Sequence, residues 1–411
     1  MKKLRLYSTL CIFWLYGCSL LKNKIPTAEL TEATGTSPFL DSLLKAYPAY
    51  FDSVKGDASN IQIIYTQVDR SRSNAPILTN HLYNVNPSNY FYPASTVKLP
   101  VAALALQRLH ELNIPGVNRT TPMIIGGNDS IKTTIEECIK KILLVSDNNA
   151  YNYLYDFLGQ EYINNALHKM GYRDAQLLHR VSISLSEEEN RLRRVVKFVD
   201  AGGKVLYEQK AARSPLLYQV RNTFLGQGFY QGDSLIQKPF DFSRKNKLTL
   251  PDLHLILTSI IFPEAISKEK RFRLEDEDYR FLRNYMSMYP SESALTKGDT
   301  AYYDAYVKFV LYGSERKPVA PQIRIFNKVG DAYGFLIDAA YVVDFKNKIE
   351  FFVSAVISCN SDGIYNDDKY EYNTVGWPFL RNLGAVLYDY ELRRKRKNPP
   401  DLSRFVFDYK D

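Results

Sequence analysis

The chain has 411 residues, 45% of them hydrophobic and 24% charged, which is enough apolar content to bury a substantial core and argues against a disordered protein. Its formal net charge is +8, but much of that sits at the two ends, in Lys2, Lys3, Arg5, Lys22 and Lys24 and in the basic run 393–397. Neither a zinc-finger spacing nor an aromatic RNA-binding signature accompanies the charge, which argues against a nucleic-acid partner.

Taken in chain order, the first element is a basic start followed by the apolar run 10–15. That run is shorter than the roughly 20 residues of a membrane-spanning helix, and it reads as an export signal over residues 1–17. Leu15-Tyr16-Gly17-Cys18 resembles a bacterial lipobox, which implies a lipidated Cys18 as first mature residue and a cell-envelope lipoprotein facing the periplasm. Residues 18–45 are polar and are expected to be a tether.

Strands are expected at 61–68 and 81–85, where β-branched and aromatic residues alternate with polar ones. A buried helix then follows Ser95: Pro100 fits a first turn, and the residues behind it are apolar on every side. Ser95 is expected to cap this helix, with Lys98 one turn on and on the same face. The pair is a candidate nucleophile and base. Two further Ser-x-x-Lys matches, Ser267 with Lys270 and Ser314 with Lys317, lie in charged surroundings and read as surface.

Thr134 carries N-cap chemistry for a helix through Ile142 and Leu143. The run Ser146-Asp147-Asn148-Asn149 interrupts it and starts another, which stops at Gly159; a third ends at Met170-Gly171. Ser146 and Asn148 thus fall at a helix joint, where polar side chains can face a cleft. Residues 182–247 are polar and offer few elements. Helices are expected at 248–261, 277–288 and 374–390, and strands at 322–328, 334–343 and 349–358.

Strands at both ends with helices between predict an α+β domain over 46–395. Its antiparallel sheet is built from N- and C-terminal strands in an α/β lobe of 46–92 and 320–395, flanked by helices. An all-α lobe of 93–319 is inserted, with an insertion near 191–245, and a tail of 396–411 follows. Cys138 and Cys359 read as small core residues rather than a disulfide. The five histidines show no metal-ligand spacing, so neither metal nor cofactor is expected. The 31 tyrosines are spread along the chain and read as core and surface filling.

Three motifs occur in order: Ser95-Thr96-Val97-Lys98, Ser146-Asp147-Asn148 and Lys328-Val329-Gly330. Together they resemble the motif set of class A β-lactamases and penicillin-binding proteins, and the resemblance runs from about residue 50 to 390. It includes Leu167-His168-Lys169-Met170-Gly171, Leu248-Thr249-Leu250-Pro251 and the segment 334–340.

The resemblance implies a β-lactamase/transpeptidase-like fold and a monomer that acts on a β-lactam or on a peptidoglycan peptide. It implies Ser95 as nucleophile, Lys98 as base and Ser146 as proton relay. Asn148, Lys328, Gly330 and Asp331 are implied at the substrate, with backbone N–H groups of Ser95 and Asp331 holding the oxyanion.

Two departures stand out. The family's loop glutamate, which activates the deacylating water, is matched here by Ser182 if Arg180 matches the arginine before it; Glu187, Glu188 and Glu189 come several residues late. Val329 lacks the hydroxyl that helps the motif lysine hold a substrate carboxylate, and Asp331 adds negative charge nearby. The expected function is an acyl-enzyme-forming serine hydrolase slow to deacylate. The alternatives are a D-alanyl-D-alanine peptidase and a non-catalytic envelope binding protein.

Overall fold

The structure is a computed structural model that describes residues 30, 32–54, 60–127 and 130–409; the export signal and Cys18 lie outside the described residues. Its organising element is a five-stranded antiparallel sheet in the order Ile323–Ala332, Phe335–Asp344, Ile349–Ser358, Gln62–Arg70, Pro76–Tyr83. The N-terminal hairpin joins the C-terminal meander through a register that runs from Gln62 opposite Val356 to Gln67 opposite Phe351. The sheet is therefore assembled from the two ends of the chain, as expected, and the fold is α+β.

Successive side chains on a strand point to opposite faces, and both faces are buried here. Ile337, Ala339, Tyr341 and Val343 enter one core with the helical lobe. Leu336, Ala340 and Val342 enter a second core beneath the helices Pro38–Lys45 and Trp377–Arg393. Asp338 lies in the middle of this strand, fully buried; its carboxylate accepts from the backbone N–H of Val310 at 3.0 Å and from Asn327 Nδ2 at 2.9 Å. The segment 296–320 is thus tied to the sheet.

Three expectations are corrected. Residues 38–45 are a helix and not a tether, because Leu40 and Leu44 recur at helical spacing and bury against the second core. In the expected tail of 396–411 the described part packs on the domain: Leu402 and Phe405 are buried, and the Phe405 ring lies 5.4 Å from that of Phe326 and 5.1 Å from that of Tyr341. The inserted lobe is not all-α. Beside helices such as Lys98–Leu112, Ile135–Val145 and Asn148–Leu158 it holds a four-stranded sheet of Ile131–Thr133, Met123–Ile125, Val196–Val199 and Val205–Gln209. The insertion near 191–245 contributes shorter strand pairs as well. These strands are two to five residues long, too short to show a periodicity, and Met123–Ile125 takes one of its partners, Val196–Val199, from distant sequence.

Cys138 and Cys359 are free and buried, as expected. No helix among the described residues is long and apolar enough to cross a membrane.

Candidate active site

Ser95 lies in the short turn Ala94–Val97 that leads into the helix Lys98–Leu112. It does not cap that helix with its side chain; Val97 occupies the cap position. Ala94 is held at a φ of +46°, a conformation uncommon for a residue with a Cβ, and this bend delivers Ser95 to the cleft. The helix behind it is buried from Lys98 through Gln107, which makes it a rigid support.

The helix joint arises from local chemistry. Thr134 accepts from the N–H of Glu137 at the start of Ile135–Val145, and Ser146 ends that helix in the left-handed region at a φ of +60°. Asp147 then caps Asn148–Leu158 by accepting from the N–H of Ala150 at 2.7 Å. The sharp turn directs Ser146 and Asn148 toward Lys98.

Lys98 is fully buried, and its Nζ donates to the carbonyl of Ser146 and to Asn148 Oδ1 at 2.6 Å and lies 3.3 Å from Ser146 Oγ. Lys328 reaches the same hydroxyl from the sheet edge, its Nζ lying 2.9 Å from Ser146 Oγ. Ser146 Oγ thus stands between two amines. A neutral amine has two hydrogens and one lone pair; the two shorter bonds of Lys98 use both hydrogens, which leaves its lone pair to accept the Ser146 hydrogen. The Ser95 hydroxyl makes no hydrogen bond among the described residues.

Burial pushes the Lys98 amine well below its ordinary pKa, and the positive charge of Lys328 adds to the shift. Burial likewise lowers Lys328 to about 7. Two neighbouring amines in a dry site favour the neutral forms, which turns a lysine from an ion-pair partner into a base.

Gly330 is required by packing: a Cβ there would lie 2.9 Å from the carbonyl oxygen of Pro93 and 3.0 Å from the backbone nitrogen of Ser95. The strand's alternation turns Val329 into the second core, at 2% exposure, and away from the cleft. Asp331 lines the cleft and is exposed.

The cleft encloses about 930 Å³ and is bordered by Ser95, Ser146, Asn148 and Ser182. Six tyrosines, Tyr92, Tyr302, Tyr306, Tyr333, Tyr370 and Tyr372, line it too. They are not the general filling that their even spread in sequence suggests: they come from four separate segments, and no spacing in the sequence joins them.

Ser182 holds a φ of +53° and accepts from Asn148 Nδ2 at 2.7 Å. Its loop is pinned from behind. Asn152 makes paired bonds to the backbone of Val181, both 3.0 Å, and Arg180 reaches the buried Asp156 at 2.5 Å. His179 stacks on Tyr92, and burial lowers its pKa to about 4, so it is neutral in this loop.

The three late glutamates have other partners: Glu187 pairs with Arg244, Glu188 with Arg191 and Arg213, and Glu189 closes a capping box with Ser186. The carboxylates that line the cleft are Asp147, Asp331 and Asp368. Among the described residues no three His, Cys, Asp or Glu side chains are grouped to hold a metal.

A family model described as the beta-lactamase enzyme family matches residues 58–390. Among solved structures, the chain is similar to a β-lactamase from Burkholderia phymatum at 15% identity, covering 86% of this chain and 100% of that one with a TM-score of 0.48. It is similar to a class A β-lactamase from Bacteroides cellulosilyticus at 12% identity, covering 85% and 96% with a TM-score of 0.46. It is also similar to PBP-A at 14% identity, covering 89% and 97% with a TM-score of 0.46. No curated protein matches it.

Proposed function

The chain belongs to the beta-lactamase enzyme family, and on that premise we propose that it is a serine hydrolase that forms an acyl-enzyme at Ser95 with a β-lactam or related amide. The observation that carries this reading is the placement of Ser146 Oγ between Lys98 Nζ and Lys328 Nζ in the cleft that holds Ser95.

In the proposed reaction Ser95 Oγ attacks the carbonyl carbon and its proton passes to the neutral Lys98 amine. The C–N bond then breaks, and the leaving nitrogen takes the hydrogen of Ser146, which Lys98 replaces. Backbone N–H groups of Ser95 and Asp331 are assigned to the developing oxyanion, and Asn148 and Lys328 to the substrate's amide and carboxylate. A water must afterwards cleave the ester to return Ser95 and release an acid. Among the described residues that line the cleft none is a glutamate, so the acyl-enzyme is expected to persist.

The same observation favours a second reading, a penicillin-binding-protein-like peptidase of D-alanyl-D-alanine termini, which does not use the loop glutamate. Intact mass and product release, followed together after mixing with a chromogenic β-lactam and, separately, with a D-alanyl-D-alanine peptide, separate the two. Both readings expect a lasting β-lactam adduct on Ser95; slow product release that Ser95→Ala abolishes supports the lactamase, and Ser95-dependent release of D-alanine from a D-alanyl-D-alanine peptide, with no β-lactam product, supports the peptidase. The absence of any adduct would rule out both and leave a non-catalytic binding protein.

We also propose that Cys18 carries a lipid that holds the protein on an envelope membrane, on the strength of the lipobox-like Leu15-Tyr16-Gly17-Cys18. Cys18→Ala should move the protein from the membrane to the soluble fraction, and unchanged fractionation contradicts the assignment.

A further inference from the structure

Behind the cleft loop lies a second cavity of about 650 Å³, between the helix Gln160–Lys169, the end of Lys98–Leu112, the loop 268–273 and the insertion. Its volume is within the range of sites for drug-sized molecules. Leu158, Tyr162, Ala166 and Met170 form an apolar floor. Around them stand seven basic side chains against three acidic ones, and Glu188, outside the wall, offsets only Arg191 and Arg213. Glu111 is already engaged by Gln107, Tyr162 and Arg273, and Glu161 is exposed.

The insertion supplies the decisive groups. Arg191 is buried and donates to the carbonyl of Ser214 through Nε and Nη2. Arg193 packs its aliphatic part over Gly159, where an added Cβ would meet its Cδ at 3.1 Å. Arg193 and Lys169 form no ion pair among the described residues.

Three polar atoms of the wall, Arg193 Nε, Gln160 Oε1 and Ser214 Oγ, are buried without a hydrogen-bond partner; Gln160 and Ser214 are only 4% and 6% exposed. Buried polar groups are seldom left unpaired, since each costs about 1–3 kcal/mol, so three such atoms on residues of one wall leave that wall short of hydrogen-bond partners.

We propose that this cavity binds a small organic anion with an apolar body, its charge held by Arg193 and the neighbouring basic groups and its body on the Leu158 and Met170 floor. The insertion near 191–245 then has a role: it completes a ligand site separate from the Ser95 cleft. Arginine suits it, because its fork of donors matches carboxylate, sulfonate and phosphate oxygens.

The test uses anilinonaphthalene sulfonate as the anionic probe and phenylnaphthylamine, which has no sulfonate, as its neutral counterpart, both titrated calorimetrically against the folded protein. The expected result is one sulfonate bound per chain, weakened about tenfold or more by Arg193→Glu, with the neutral probe changed less than about twofold. Exposed Lys169→Glu should weaken sulfonate binding in the same direction and carries the test if Arg193→Glu fails to fold. Ser95→Glu, which puts a negative charge into the cleft, should leave it unchanged. No stoichiometric binding, equal losses for both probes, or weakening by Ser95→Glu would each overturn the proposal.

Discussion

Asn148 Nδ2 donates to Ser182 Oγ at 2.7 Å, while Oδ1 of the same amide accepts from Lys98 at 2.6 Å. One side chain therefore links the candidate base to the position where the family's deacylating glutamate is expected. Ser182→Glu is predicted to shorten the acyl-enzyme lifetime by about a hundredfold, the lower end of what a positioned general base contributes. The lifetime is read by intact mass after a pulse of penicillin. An unchanged lifetime in a folded variant would mean that the loop does not present residue 182 to the ester.

Gly330 packs against the Ser95 turn so closely that a methyl group has no room. Gly330→Ala should destabilise the protein by about 1–3 kcal/mol, as overpacking does, and slow labelling of Ser95 at least tenfold. Denaturant titration and labelling rate check the two effects separately. A variant with wild-type labelling would show that the turn shifts at no cost to the site.

Lys328 has a folded-state pKa near 7 because of burial, against 10.5 for the ordinary amine. Between those values the unfolded chain holds a proton that the native state has lost, so this group makes stability rise with pH and lowers it as pH falls toward 7. Lys328→Met removes that dependence. The stability of wild type relative to the variant should therefore grow, by up to about 1.4 kcal/mol per pH unit, from pH 7 to 10. Urea titrations at three pH values measure the slope. A flat difference would falsify the depressed pKa.

Asp156 is fully buried and binds Arg180 at 2.5 Å and Arg194 at 2.7 Å, which ties the cleft loop to the insertion. Asp156→Ala leaves the buried Arg180 unpaired, at a cost of about 3 kcal/mol; Arg194 is half exposed and adds little. Faster amide exchange should appear in residues 178–192 before it appears in the central sheet. Uniform loss of protection would indicate that the pair supports the whole fold.

The sequence alone determined what rests on short-range chemistry. Helix starts at Thr134 and Thr249 follow from side chains that bond a backbone N–H three residues on. The meander strands follow from long β-branched runs, and the order of the three motifs is itself a property of sequence. The helix at 38–45 and the packed end at 402–405 lie beyond short-range chemistry, because Leu40, Leu44, Leu402 and Phe405 are buried by surfaces far away along the chain.

Only tertiary structure decided the rest. Ser146 meets an amine 48 residues before it and another 182 residues after it, and burial of both amines in the folded chain makes them poor ammonium ions. Two-residue strand pairs in the insertion and the tyrosines around the cleft are likewise set by contacts between segments. Burial and charge coupling act through space, so residue types and spacings name the groups of the site but not the fields they stand in.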